Sequence, residues 1–188
     1  FVEPIGPDPT QGVDKITKLP LLPWNNERPS INGFASEDGS TASLVLSSQT
    51  FATLNYTGNN QDSYGGTFIS YDNPATTGTA IETINFMTTF PQGLIVGVES
   101  PNVTEAVFEL TDKAGKRSTV VLSDLENFGQ RYVITAGKFF GIDLTQVKTL
   151  SFVVKGAGAK TLKIDWGNFE FVEPIGPDPT QGVDKITK

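Results

Sequence analysis

The side chains of this 188-residue chain that could do chemistry are almost all carboxylates, lysines and hydroxyls. There are 21 Asp and Glu and 14 Lys and Arg, but no histidine, no cysteine and one methionine, Met87. That inventory excludes disulfide frameworks, thiolate nucleophiles, Cys/His zinc centres and any Ser-His-Asp triad. Carboxylate and lysine chemistry survives, and a glycan hydrolase or lyase could run on it. No acid/base pair is marked by the sequence, however, and an enzyme is not expected. The EF-hand spacing that would announce calcium is also absent. The sequons Asn55-Tyr56-Thr57 and Asn102-Val103-Thr104 are short patterns of high chance frequency.

Charge narrows the partners further. The formal net charge is -7 and the isoelectric point near 4.6, which argues against nucleic acid, whose phosphates call for a Lys/Arg surface. Membrane insertion is not expected, because no apolar run reaches the roughly 18 residues that span a bilayer. With 37% hydrophobic and 19% charged residues there is material for one sizeable core.

The elements that must position these groups are organised around a repeat. The eighteen residues Phe1 to Lys18, FVEPIGPDPTQGVDKITK, return without change from Phe171 to Lys188. Residues 1–170 therefore read as one unit of a tandem array and residues 171–188 as the start of the next, although a duplication introduced in cloning would leave the same letters. Pro4, Pro7 and Pro9, with Gly6, Asp8 and Gly12 around them, rule out a helix or an interior strand in this seam. A semi-rigid spacer between domains is expected, and a flexible hinge is the alternative. The second copy should run extended from the last strand and dock on a neighbouring molecule. Folding back into its own domain would contradict a beads-on-a-string arrangement. Leu19 to Ile31, broken by Pro20, Pro23 and Pro29, reads as an anchoring arm with Trp24 as a plug over the core end. Residues 1–30 are thus linker and arm, and 31–170 the domain.

From Asn32 onward, turn signals alternate with runs rich in β-branched and aromatic residues. Ten runs are predicted as strands: Ala42 to Leu46, Phe51 to Tyr56, Thr67 to Tyr71, Thr83 to Phe90, Leu94 to Glu99, Ala106 to Thr111, Thr119 to Leu122, Tyr132 to Thr135, Thr149 to Val154 and Leu162 to Val172. The one helical turn is expected near Asp143 to Val147. In Ala106 to Thr111, Phe108 and Leu110 share a face opposite Val107 and Glu109, so each sheet has one dry side. An all-β, two-sheet antiparallel sandwich follows. In the last strand the apolar phase slips at Gly167, which predicts a bulge there.

The order of segments resembles the jelly-roll carbohydrate-binding modules of the galactose-binding-like type. The resemblance rests on FASEDGS from Phe34 to Ser40, the Tyr64-Gly65-Gly66 strand start, EAVFELTDKAGK from Glu105 to Lys116, QRYVI from Gln130, FFGIDLTQVKTLSFVV from Phe139 to Val154 and KIDWGNFEF from Lys163. It spans most of residues 31–171 and leaves the seam and arm without counterpart. It implies a non-catalytic glycan binder that holds one structural calcium, with Asp165 as ligand and Glu37 and Asp38 as partners. The plainer alternative makes Asp165 an exposed acid and Asp38-Gly39 a turn. For sugar the resemblance implies an aromatic face with polar neighbours: Tyr64, with Tyr71, Asn85, Glu109 and Arg131. The corresponding alternatives are tyrosines packed at the rim and an ion-paired Arg131.

Two functions fit. One is a glycan-binding repeat of a very large extracellular or cell-surface protein, gaining strength by multivalency. The other is a structural spacer repeat of an adhesin or surface filament, its contacts being neighbouring repeats of the same chain.

Overall fold

In the segment Glu105–Asp112 the residues Ala106, Phe108, Leu110 and Asp112 are buried while Val107, Glu109 and Thr111 are half-exposed, a period of two that makes a strand with one dry face. The same alternation recurs along the chain and builds the domain. The computed structural model describes residues 31–47, 51–72, 81–91, 93–165, 177–178 and 184–186. Its body has ten strands: β1 (Ile31–Ala35), β2 (Thr41–Leu46), β3 (Phe51–Gly58), β4 (Tyr64–Ser70), β5 (Leu94–Glu99), β6 (Glu105–Asp112), β7 (Arg117–Ser123), β8 (Gln130–Ile134), β9 (Val147–Lys155) and β10 (Gly158–Asp165). One sheet runs β1-β4-β9-β6-β7 and the other β2-β3-β10-β5-β8. Every pairing is antiparallel.

The dry faces meet in one core. From the first sheet come Ile69, Phe108, Leu110, Leu122, Leu150, Phe152 and Val154, and from the second Leu54, Tyr56, Val96, Val98, Tyr132, Leu162 and Ile164. An aromatic chain runs from Phe90 and Phe86 through Phe139 to Phe108 and Phe152 of the first sheet, with ring centres 5.0 Å apart for Phe86–Phe90, 5.7 Å for Phe86–Phe139, 6.0 Å for Phe108–Phe139 and 5.1 Å for Phe108–Phe152. These tilted and edge-on contacts are the geometry ring quadrupoles favour. The expected all-β sandwich is what the chain forms.

Four sequence expectations are corrected. Thr83 to Phe90 is not a strand: Ile84 makes an isolated bridge to Val147, and the chain then winds into a single helical turn, α1 (Phe86–Thr89). The cause is Asn85, whose Oδ1 accepts the Thr88 amide at 3.2 Å as an N-cap, so that Phe86 and Phe90, four apart, both reach the core. Asp143 to Val147 is a hydrogen-bonded turn rather than a helix, because the Asp143 carboxylate takes the Thr145 amide at 2.9 Å. Asn32-Gly33, read as a turn, lies inside β1, paired with Phe68 and Thr67.

The fourth correction concerns the seam. Within its second copy, β11 (Pro177–Asp178) pairs with β12 (Asp184–Ile186), and β12 pairs antiparallel with Val133, Tyr132 and Arg131 of β8 in its own domain. The tail therefore returns to the sheet at these positions instead of leaving it. The open edge of β8 explains this, since an edge strand presents unpaired N–H and C=O groups that another segment can satisfy. The seam is thus partly sheet and not purely spacer, and this return into its own domain contradicts the beads-on-a-string arrangement expected from the sequence. The arm, Trp24 and the expected bulge at Gly167 lie outside the described residues.

Candidate functional site

The wet face of the five-stranded sheet β1-β4-β9-β6-β7 carries a groove of about 530 Å³. Alternation places its floor. On β9, Leu150, Phe152 and Val154 point inward, so Thr149, Ser151, Val153 and Lys155 point out. Register then sets Phe68 and Glu109 on either side of Ser151, and Tyr64 beside Lys155. Phe34 of β1 pairs with Gly66. A β carbon at 66 would stand 2.2 Å from the Phe152 carbonyl oxygen and 2.9 Å from the Phe34 ring, so the missing side chain lets that ring lie low over the sheet. Phe34 and Phe68 are 6.3 Å apart, and Tyr64 is 47% exposed. One end of the groove is therefore aromatic.

The other end is cationic. Lys113, Arg117 and Lys148 line it together with Thr111 and Thr149. Lys148 arrives there through a bulge: β6 pairs Thr111 with Thr149 and Asp112 with Val147, leaving Lys148 as the extra residue. Arg117 sits 3.7 Å from Glu109, and Lys148 is 3.3 Å from Asp72.

Of the sugar-site residues expected from sequence, Tyr64 and Glu109 line this groove and the other three do not. Tyr71, the residue after β4, is buried, its hydroxyl without a hydrogen-bond partner among the described residues and its pKa pushed up by burial. Asn85 is occupied as the α1 cap. Arg131 is buried in β8, on the opposite sheet. Sequence reasoning missed Phe34, Phe68, Lys113, Arg117, Lys148 and Lys155. Strict alternation from Phe152 and Ile69 reveals Lys155 and Phe68, whereas Lys148 is hidden by its bulge.

The residues expected to hold calcium do not converge. Asp165 pairs with Phe51 at one end of β3, while Asp38 bonds Asn60 Nδ2 and Ser63 Oγ just beyond Gly58 at the other. The seven steps from Phe51 to Gly58, at about 3.3 Å each, set the two ends of β3 roughly 23 Å apart. Asp38 is moreover already satisfied, accepting from Ser40 Oγ at 2.6 Å, the Ser40 amide at 3.1 Å and Ser36 Oγ at 2.8 Å as well. Those donors, Ser40 first and then Ser63, hold its pKa well below the usual carboxylate range. Glu37 is exposed in the same turn. No group of three or more acidic metal ligands occurs among the described residues. The trio does not fit one ion, and Asp38 instead clamps the β1–β2 turn to the β3–β4 turn.

No protein-family model matches the sequence, and no curated protein matches it either. Solved structures do. The family 11 carbohydrate-binding module of the Clostridium thermocellum cellulase Lic26A-Cel5E is similar, with a TM-score of 0.50 at 14% identity over 79% of this chain and 92% of that one. The fold is one that carbohydrate-binding modules share. The family 11 module from the same organism in complex with a β-1,3-1,4-mixed-linked tetrasaccharide gives 0.50 at 13% identity, covering 74% and 88% of the two chains. The agarase AgWH50C gives 0.53 at 10% identity over 79% of this chain, but only 24% of its own length is matched.

Proposed function

We propose that this domain is a non-catalytic, carbohydrate-binding-module-like repeat of a very large extracellular or cell-surface protein, and that it binds glycan chains along the groove of the five-stranded sheet. The observation that carries the reading is Tyr64, half-exposed at the head of β4 beside the Phe34 and Phe68 rings. Aromatic faces cover the apolar side of a pyranose, and the flanking hydroxyls and charges meet its hydroxyl groups. The open trough suits a chain lying along the sheet. Glu109 is the one carboxylate among the described lining residues, whereas glycoside hydrolysis uses a pair. Several copies in series would raise a weak single-site affinity.

The test is retention of the isolated domain on immobilised plant, bacterial and animal glycans, with bovine serum albumin as the reference for non-binding. Retention on at least one polymer, competed by its soluble form, is expected. Migration identical to albumin on all of them refutes the reading and leaves the spacer.

A further inference from the structure

The charge in the groove is opposite to that of the chain. Four of the 14 Lys and Arg line it, Lys113, Arg117, Lys148 and Lys155, against one of the 21 Asp and Glu. Two of these cations are matched, Arg117 by Glu109 and Lys148 by Asp72. No acid lies within ion-pairing distance of Lys113 or Lys155 among the described residues. These two stand at opposite ends: Lys155 closes β9 beside Tyr64, and Lys113 follows Asp112, which pairs with Val147 at the start of β9. At about 3.3 Å per residue the cationic track from Lys148 to Lys155 is roughly 20 Å long, enough for several sugar rings end to end.

We infer that the ligand is an anionic polysaccharide, one whose rings carry carboxylate or sulfate groups, rather than a neutral glucan. The inference rests on the glycan-binding reading of the same groove. An uncharged chain would cover two lysines without meeting their charge. A chain with repeated anions pairs with both while its rings lie on Tyr64 and Phe34. Charge-assisted hydrogen bonds from lysine are stronger than those a neutral hydroxyl accepts. A positive trough in a negative molecule also concentrates the field that draws such a polymer in.

The experiment compares polymers of equal backbone and different charge: polygalacturonate against its full methyl ester for carboxylate, and a sulfated galactan against the same galactan desulfated for sulfate. Each is measured by affinity electrophoresis at low and at physiological salt. At least one anionic member should bind about tenfold tighter than its neutral twin, the size of two exposed charge pairs, and lose that advantage as salt rises. Which pair responds tells carboxylate from sulfate. Lys113→Gln/Lys155→Gln should remove both the preference and the salt dependence while the melting temperature stays put. Equal, salt-independent binding of neutral and charged members overturns this inference and leaves glycan binding intact. Binding to none of the four, nor to any neutral glucan, overturns both.

Discussion

Replacing Tyr64 by alanine tests whether the groove recognises sugar through a ring face. An aromatic side chain offers 150–250 Å², and Tyr64 is 47% exposed, so roughly 100 Å² of it is open to a ligand. A pyranose resting on one face covers roughly half of that, and roughly 50 Å² at about 25 cal/mol per Å² comes to about 1.3 kcal/mol. Tyr64→Ala should therefore weaken binding about tenfold. Tyr64→Phe keeps the face and should stay close to the parent. Isothermal titration with the retained glycan measures both, and a thermal melt runs beside it. The melting temperature should hardly move, since exposed substitutions fall within about 0.5 kcal/mol. Unchanged affinity in the alanine variant, or an equal loss in the phenylalanine variant, would refute stacking as the basis of recognition.

Phe108 touches both Phe139 and Phe152 and is fully buried, so Phe108→Ala should cost about 3–5 kcal/mol and be read as a fall in the urea midpoint. A β carbon at Gly58 would sit 2.1 Å from the Gly156 carbonyl oxygen and 2.4 Å from the Tyr56 hydroxyl; Gly58→Ala should destabilise by about 1–3 kcal/mol through overpacking, and an unshifted melt would show that the strand ends give way. The pKa values of Asp38, Asp112 and Asp143 are all depressed, chiefly by Ser40, by the Asp143 amide and by Thr145 respectively. Their stabilisation is present above the unfolded carboxylate pKa near 3.9 and is lost as pH falls below it. Melting temperature should accordingly be level from neutral pH to about 5 and drop in acid, with a shallower acid drop in Asp38→Asn. Because Asp38 and Asp165 stand at opposite ends of β3, adding a chelator should leave the melt unchanged; a shift of several degrees would mean a cation site built from other residues.

The sandwich was legible because alternation is local. Phe108 and Leu110 against Val107 and Glu109 declare which side of β6 is dry without knowledge of any partner. Asn85 defeated the same logic, since Thr83 to Phe90 alternates well enough for a strand until the amide cap turns it into helix and converts a period of two into a spacing of four. The site was half-legible for a related reason. Tyr64 and Glu109 can be named from composition and position, but their company depends on register. Phe68 and Glu109 flank Ser151 only because β4 and β6 both pair with β9, and Lys148 joins them only because one extra residue is inserted opposite Asp112. The calcium set failed on distance, a property of strand length that three letters in a sequence do not carry.

The same period of two keeps stability and recognition apart. Along β9, Leu150, Phe152 and Val154 hold the layers together while Thr149, Ser151, Val153 and Lys155 face the groove, so a variant on one set should leave the other's readout alone. Gly66 is where this separation breaks down. Its neighbours are the Phe152 carbonyl, which belongs to the ladder, and the Phe34 ring, which belongs to the groove. A methyl group there cannot be accommodated by turning a side chain alone, because the closer contact is backbone. Gly66→Ala should thus lower melting temperature and affinity together, by about 1–3 kcal/mol in stability, and Phe34→Ala made on top of it should recover little, because it relieves the contact with the ring and leaves the contact with the carbonyl oxygen.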